Sequence, residues 1–149
     1  MDDEFGIVAG HVETVHAYTN DQNLIDNYHD ASRRGRSAPL NMVITETGAA
    51  VAVGKVLPQL AGKLTGNAIR VPTPNVSMAI LNLTLARETT TIEVNEFMRY
   101  QALHSPLHQQ IDYSASPEVV SSDFVGWRRV AFVADIAGSL SQAAPAACV

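Results

Sequence analysis

FGIVAGHVETVHAYT, residues Phe5–Thr19, is the stretch on which the reading of this chain turns. Its alternation sets Val12, Thr14, His16 and Tyr18 on one face against Glu13, Val15, Ala17 and Thr19 on the other, the period-two pattern of a strand. One long strand is predicted, ending where the chain turns polar. From Asn20 to Pro39, NDQNLIDNYHDASRRGRSAP has hardly any periodicity. So long a connection inside a compact domain is usually a working loop or an interface. A histidine near the end of a strand that feeds such a loop is a candidate base, although a histidine on a strand is more often a hydrogen-bonded structural residue.

Working outward, Leu40–Thr45 reads as a short strand, and Gly48 begins an Ala/Val-rich helix that Pro58 should end or bend. Gly62 and Gly66 punctuate the return, and Ala68–Val71 and Ser77–Arg87 read as two further strands. Thr89, Thr90 and Thr91 are capping candidates before IEVNEFMRYQALH, where Ile92, Val94, Phe97, Met98 and Leu103 suggest the apolar stripe of a helix. Ile111–Tyr113 and Val119–Ser122 are short strand candidates, and Val130–Val133 is a last apolar run. Beyond Ala137 the tail GSLSQAAPAACV loses its periodicity and is expected to be poorly ordered. Strands and helices without a regular βαβ beat indicate an α+β domain, a sheet with helices packed on one face.

Composition narrows the function classes. At 149 residues and 46% hydrophobic content the chain suits one domain with a sizeable core. A formal charge of -5 leaves no basic field for a polyanion, so nucleic acid is not an expected partner. No apolar run approaches the roughly eighteen residues of a membrane span, and the start, Met1-Asp2-Asp3-Glu4, is acidic where a signal peptide would be basic. A soluble, cytoplasmic protein is expected. The single cysteine, Cys148, excludes an internal disulfide and a cysteine-cluster metal site within the chain. His11 and His16 fall on opposite strand faces, and the helical spacing of His104 and His108 is broken by Pro106, so neither pair is expected to hold a metal.

Three segments carry chemistry. VHAYTNDQ, Val15–Gln22, brings His16 to the end of a strand just before a hydroxyl and a polar loop. TGAAVAVGKVLP, Thr47–Pro58, puts a hydroxyl and a glycine directly before a helix, where unpaired N–H groups and the helix dipole favour an anion; Thr47 and Gly48 are equally candidates for simple helix capping. NAIRVPTPN, Asn67–Asn75, sets Arg70 within a strand.

In this order and spacing the three segments, with SRRGRSA, VNEF and VSSDF between and after them, resemble the glyceraldehyde-3-phosphate dehydrogenase family from about Phe5 to Gly126. The resemblance implies an α+β fold with a mixed, mostly antiparallel sheet and helices on one face, truncated at both ends. Residues 1–136 would be the catalytic, C-terminal domain and 137–149 a divergent, disordered tail. It further implies an NAD- or NADP-dependent oxidoreductase that converts an aldehyde to an acyl phosphate in glycolysis or gluconeogenesis, working as a homotetramer. His16 would lower the pKa of a cysteine nucleophile and relay protons. Thr19, Asp21, Arg34 and Arg70 match positions around the substrate phosphate, where arginine forks bind bidentately, and Thr47 and Gly48 match an inorganic-phosphate pocket. Tyr18 to about Leu40 corresponds to a loop that lies along a subunit interface.

The sequence also departs from the family. The nucleophilic cysteine and the dinucleotide-binding half lie upstream of the FGI strand in the family, so this chain alone is expected to be inactive and to bind no nicotinamide cofactor. Cys148, in an Ala-rich context, is expected to be inert. Glu46 stands where a small hydroxyl residue is usual and Val51 where lysine is common. Both lower the positive potential of the pocket, unless strand alternation aims Glu46 away from the face of Thr45 and Thr47. An erythrose-4-phosphate dehydrogenase relative, and a non-catalytic module for oligomerisation or phosphate binding, are the alternative readings.

Overall fold

The structure, a computed structural model, describes residues 1–134 and 146–148. The chain divides into two compact units, Ala9–Leu81 and Met1–Val8 with Asn82–Val149. The sheet is mixed, mostly antiparallel. A second, two-stranded sheet pairs β5 with β6. The α+β class expected from the sequence is the one observed.

In the Ala9–Leu81 unit, the long strand β1 (Ile7–Ala17) pairs in parallel with β3 (Leu64–Val71), and β3 pairs antiparallel with the short β2 (Val43–Thr45). Register fixes the faces: Val12, Thr14 and His16 stand beside Gly66, Ala68 and Arg70, and Ala68 and Arg70 in turn oppose Thr45 and Val43. Val12, Ala68 and Val43 on this face are all buried. Helix α2 (Ala49–Val56) packs on β3, and Gly66 shows how closely. A Cβ at Gly66 would come 3.0 Å from the Val12 carbonyl oxygen and 3.2 Å from the Thr47 methyl. Gly66 therefore lies inside a strand, not at the turn expected of it. The missing side chain is what lets the Thr47–Ala50 segment approach the sheet.

The polar stretch after β1 is organised by 3-10 turns at Ser32–Gly35 and Ala38–Leu40, so the strand expected from Leu40 starts only at Val43. Pro58 opens another 3-10 turn directly after α2, as a residue lacking an N–H should.

The other unit is built around Phe5, Leu85 and Val94, its largest fully buried side chains. Helix α1 (Asp2–Phe5) leads into β1, and β4 (Met78–Leu85) pairs antiparallel with β7 (Ala146–Cys148). Helix α3 (Thr91–His104) starts where Thr90 accepts a hydrogen bond from the Glu93 N–H at 3.2 Å. Its buried face carries Val94 and Ala102, with Phe97 and Met98 half-buried between them. Ile92 is 71% and Leu103 58% exposed, so the stripe read from the sequence is corrected at both ends. The two lie eleven residues apart, close to three full turns, on the side of the helix away from Val94. β5 (Ile111–Ser114) and β6 (Ala131–Ala134) are parallel, whereas the strand expected at Val119–Ser122 is replaced by a 3-10 turn, Ser121–Phe124. Asp123 accepts the Val120 N–H at 2.8 Å and tightens that turn, a local bond that competes with pairing. Most of the tail expected to be poorly ordered lies outside the described residues.

Candidate phosphate and proton-transfer site

The site lies wholly in the Ala9–Leu81 unit. The parallel register sets His16 beside Arg70, so ring and guanidinium share a face. Arg70 Nη1 donates to the Ala17 carbonyl at 3.2 Å and to the Thr19 hydroxyl at 3.3 Å, and lies 3.0 Å from His16 Nδ1. That nitrogen is also 2.6 Å from the Ala17 carbonyl oxygen. A carbonyl oxygen only accepts and a guanidinium only donates, so the Ala17 carbonyl calls for a proton on Nδ1 and Arg70 for a lone pair there, and the ring serves one of the two contacts at a time. Strand and backbone together fix the position of the His16 ring. Ser77 Oγ accepts the Ala17 N–H at 3.3 Å and steadies the same peptide.

Arg34 comes from the loop. Its backbone is tied in by the Asn23 N–H, which donates to the Arg34 carbonyl at 3.1 Å, and the Asn27 N–H donates to Gly35 O at 2.9 Å. Gly35 is required there because a Cβ would sit 2.4 Å from the Asn27 carbonyl oxygen. Asp26 closes the loop, accepting from the Ser37 N–H at 2.8 Å and Arg36 Nε at 3.1 Å. Those bonds, the backbone one first, hold the Asp26 carboxyl below its ordinary range. So fixed, Arg34 reaches Thr45 Oγ1 through Nη2 at 2.8 Å and Nε at 3.2 Å, and pairs with Asp21 through Nη1. His29 Nε2 lies 3.6 Å from the other Asp21 oxygen.

Charge links the two arginines. Burial, and after it the like charge of Arg34, pulls the Arg70 guanidinium below its ordinary value, against the opposing pull of Asp21. Arg70 Nε is buried without a hydrogen-bond partner among the described residues. One carboxylate thus serves two guanidiniums, which leaves the group short of negative charge, as an anion site requires.

His16, Thr19 and Arg70 are brought into direct contact, and Arg34 and Asp21 form the adjoining pair. Thr47 and Gly48 stand at the start of α2, where Thr47 Oγ1 accepts the Ala49 N–H at 3.2 Å, a capping bond. Thr45 was not singled out by sequence reasoning. Its signal was the alternation that puts it on the face of Val43. Glu46 follows Thr45 and is exposed. The described residues contain no group of three or more His, Cys, Asp or Glu that could hold a metal ion. Among them, no helix is long and apolar enough to cross a membrane.

A mixed α+β sheet whose strand ends gather a base and paired arginines defines a domain type that sequence comparison places directly. The family model for the glyceraldehyde 3-phosphate dehydrogenase C-terminal domain matches residues 1–144, and the chain belongs to that family. It is 69% identical over 133 residues to a glyceraldehyde-3-phosphate dehydrogenase-like protein of Pseudomonas aeruginosa strain UCBPP-PA14, covering 89% of this chain and 29% of that protein. It is 52% identical over 121 residues to a glyceraldehyde-3-phosphate dehydrogenase of P. aeruginosa PAO1, covering 81% and 35%. A chloroplastic glyceraldehyde-3-phosphate dehydrogenase of Arabidopsis thaliana is 50% identical over 125 residues, covering 83% and 28%. The chain thus spans about a third of the length of the curated relatives it matches.

Proposed function

We propose that this chain is the proton-transfer and phosphate-binding portion of a phosphorylating glyceraldehyde-3-phosphate dehydrogenase, and that alone it does not turn over. The observation that carries the reading is the meeting of His16, Thr19 and Arg70 beside the Arg34–Asp21 pair. The sugar phosphate is held by Arg70 and Arg34, with Thr19 as a further donor and Asp21 setting the direction of the Arg34 fork. His16 Nε2 takes the proton of a thiol brought to it, stabilising the thiolate, and returns the proton when the acyl group leaves. Thr47 and Gly48 offer a hydroxyl and a helix start to inorganic phosphate.

A nicotinamide cofactor supplies the hydride acceptor when bound. The residues gathered here are a base and anion donors, with no glycine-rich cradle for a pyrophosphate. The resemblance assigns the cofactor and the nucleophilic cysteine to protein outside this chain, and no step is assigned to Cys148.

A tetramer, with the protein in the cytoplasm, completes the reading. Its support is the exposed apolar set Leu24, Ile25, Tyr28, Leu40, Met42 and Ile44, all at 60% exposure or more along the loop and β2. The same set favours a second reading, a module that joins intact family subunits without catalysing.

The test is a dehydrogenase assay with glyceraldehyde 3-phosphate, phosphate and either NAD or NADP, on the chain alone and mixed with a cofactor-domain half carrying the cysteine. Silence alone and activity on mixing, cut about a hundredfold or more by His16→Asn, is expected. Silence in both leaves the joining module.

A further inference from the structure

The other unit holds an open cleft of about 550 Å³ lined by His108, Gln109, Gly126, Trp127, Arg128 and Arg129. That is within the size range of small-ligand sites. Its walls are pinned from behind. Trp127 meets the Phe132 ring edge-on at 6.4 Å, and Phe132 in turn lies 4.2 Å from Phe124. Arg129 is held by Asp112, and β6 begins where the Val130 and Ala131 N–H groups both donate to the Gln110 carbonyl at 3.0 Å. His108 Nδ1 lies 2.9 Å from the Ser105 carbonyl, so that nitrogen is the donor and Nε2 is left for another partner. Gly126 makes the corner with φ +80, and beyond its backbone a Cβ would meet nothing.

Three features of the lining have no structural use among the described residues. The Trp127 indole remains 53% exposed although two aromatic rings lie behind it. Arg128 is exposed and has no ion-pair partner among the described residues. His108 Nε2 accepts no described donor. An exposed indole face beside an unpaired guanidinium suits a flat ring system bearing an anionic group, because the ring stacks while the fork takes the charge. The chain's formal charge of -5 works against a long polyanion, which restricts the ligand to a small molecule.

We propose that this cleft binds a planar anion of mononucleotide size, the ring system against Trp127 and the phosphate or carboxylate on Arg128, with His108 Nε2 as an additional contact.

Trp127 is the only tryptophan in the sequence, so its fluorescence reports on the cleft alone. Titration of the whole chain with AMP should change that fluorescence saturably. Adenosine, which lacks the anion, and ribose 5-phosphate, which lacks the ring, should each bind about tenfold more weakly, and Arg128→Ala should weaken AMP by a similar factor. In Trp127→Leu, broadening of the AMP ring protons by NMR should disappear while far-UV circular dichroism is retained. No saturable change up to about 5 mM AMP would overturn the proposal. So would equal binding of ribose 5-phosphate, or an Arg128→Ala variant that binds AMP as the parent does. A single-stranded oligonucleotide that binds far more tightly than AMP would replace it with a nucleic-acid surface.

Discussion

Arg70 and Arg87 sit in different units and are treated in opposite ways. Arg87 donates to Glu93 at 2.7 Å and to Glu4 at 3.1 Å, and its guanidinium lies 4.7 Å over the Phe5 ring. Its charge is met by two carboxylates and an aromatic face, so it joins α1 to the start of α3. Among the described residues Arg70 has no carboxylate in contact, has a carbonyl, a hydroxyl and the His16 ring as its partners, and keeps a buried Nε unused. A saturated arginine is architecture, and an unsaturated one is a candidate for a ligand.

The contrast is most sharply tested at its structural pole. Phe5 is 1% exposed and meets Phe97 edge-to-face at 5.3 Å. Phe5→Ala should destabilise the chain by about 3 to 5 kcal/mol in chemical denaturation, removing aromatic packing and leaving a cavity. A loss below about 1 kcal/mol would mean that Phe5 is not the keystone of its unit.

At the other pole, Arg70→Ala should lower affinity for glyceraldehyde 3-phosphate or inorganic phosphate by about tenfold to a hundredfold by calorimetry, since charge-assisted bonds to an anion are the strong ones. Stability should change little or rise, because the substitution relieves the repulsion with Arg34 and removes a buried, unpartnered nitrogen. If Arg70→Ala costs stability and leaves anion binding intact, the distinction between the two arginines collapses.

How much of this was legible in the sequence differs between the poles for a physical reason. His16 and Arg70 were legible because both sit on strands, in the segments VHAYT and NAIRV that carry the family resemblance, and register delivers their contact. Arg34 and Asp21 lie in the loop after β1, where the resemblance alone pointed to them. Thr45 belongs to the alternation of β2 and was overlooked because a threonine on a short strand carries no signal until an arginine reaches it. The helix α3 was placed almost to the residue through its threonine cap, yet its buried face was misread. Ile92 and Leu103 are apolar but project from the side opposite Val94, and Ala102, which is buried, is too small to mark a stripe. Gly66 was read as a turn because a glycine inside a strand has no local signature. Its reason is the Thr47–Ala50 segment packed over it, a long-range contact.

A smaller effect is expected at the helix cap that stands beside Arg87. Thr90→Ala removes the acceptor for the Glu93 N–H and should cost about 1 kcal/mol of stability without affecting anion binding. A change in phosphate affinity would show that the two units are energetically coupled in a way the arginine contrast does not require.

The smallest effect concerns acid. Glu93 accepts from Thr89 at 2.7 Å and from Arg87 at 2.7 Å, and these bonds, the threonine's first, lower its pKa from 4.5. Asp26, in the site loop, is lowered from 3.8 by Ser37 first and then Arg36. A carboxyl whose folded pKa lies below its unfolded value binds fewer protons when folded. Its contribution to stability is therefore complete above the unfolded value and lost as pH falls through the folded one. Both groups are solvent-facing, so screening keeps the effect small. Denaturation midpoints measured from pH 6 downward should accordingly be flat until about pH 4.5 and then decline. Glu93→Gln should flatten the part of the decline read by stability, and Asp26→Asn the part read by phosphate binding, because Asp26 fixes the loop that carries Arg34. If Glu93→Gln altered the acid dependence of phosphate binding and Asp26→Asn did not, the division between a structural arginine and a ligand arginine would be drawn in the wrong place.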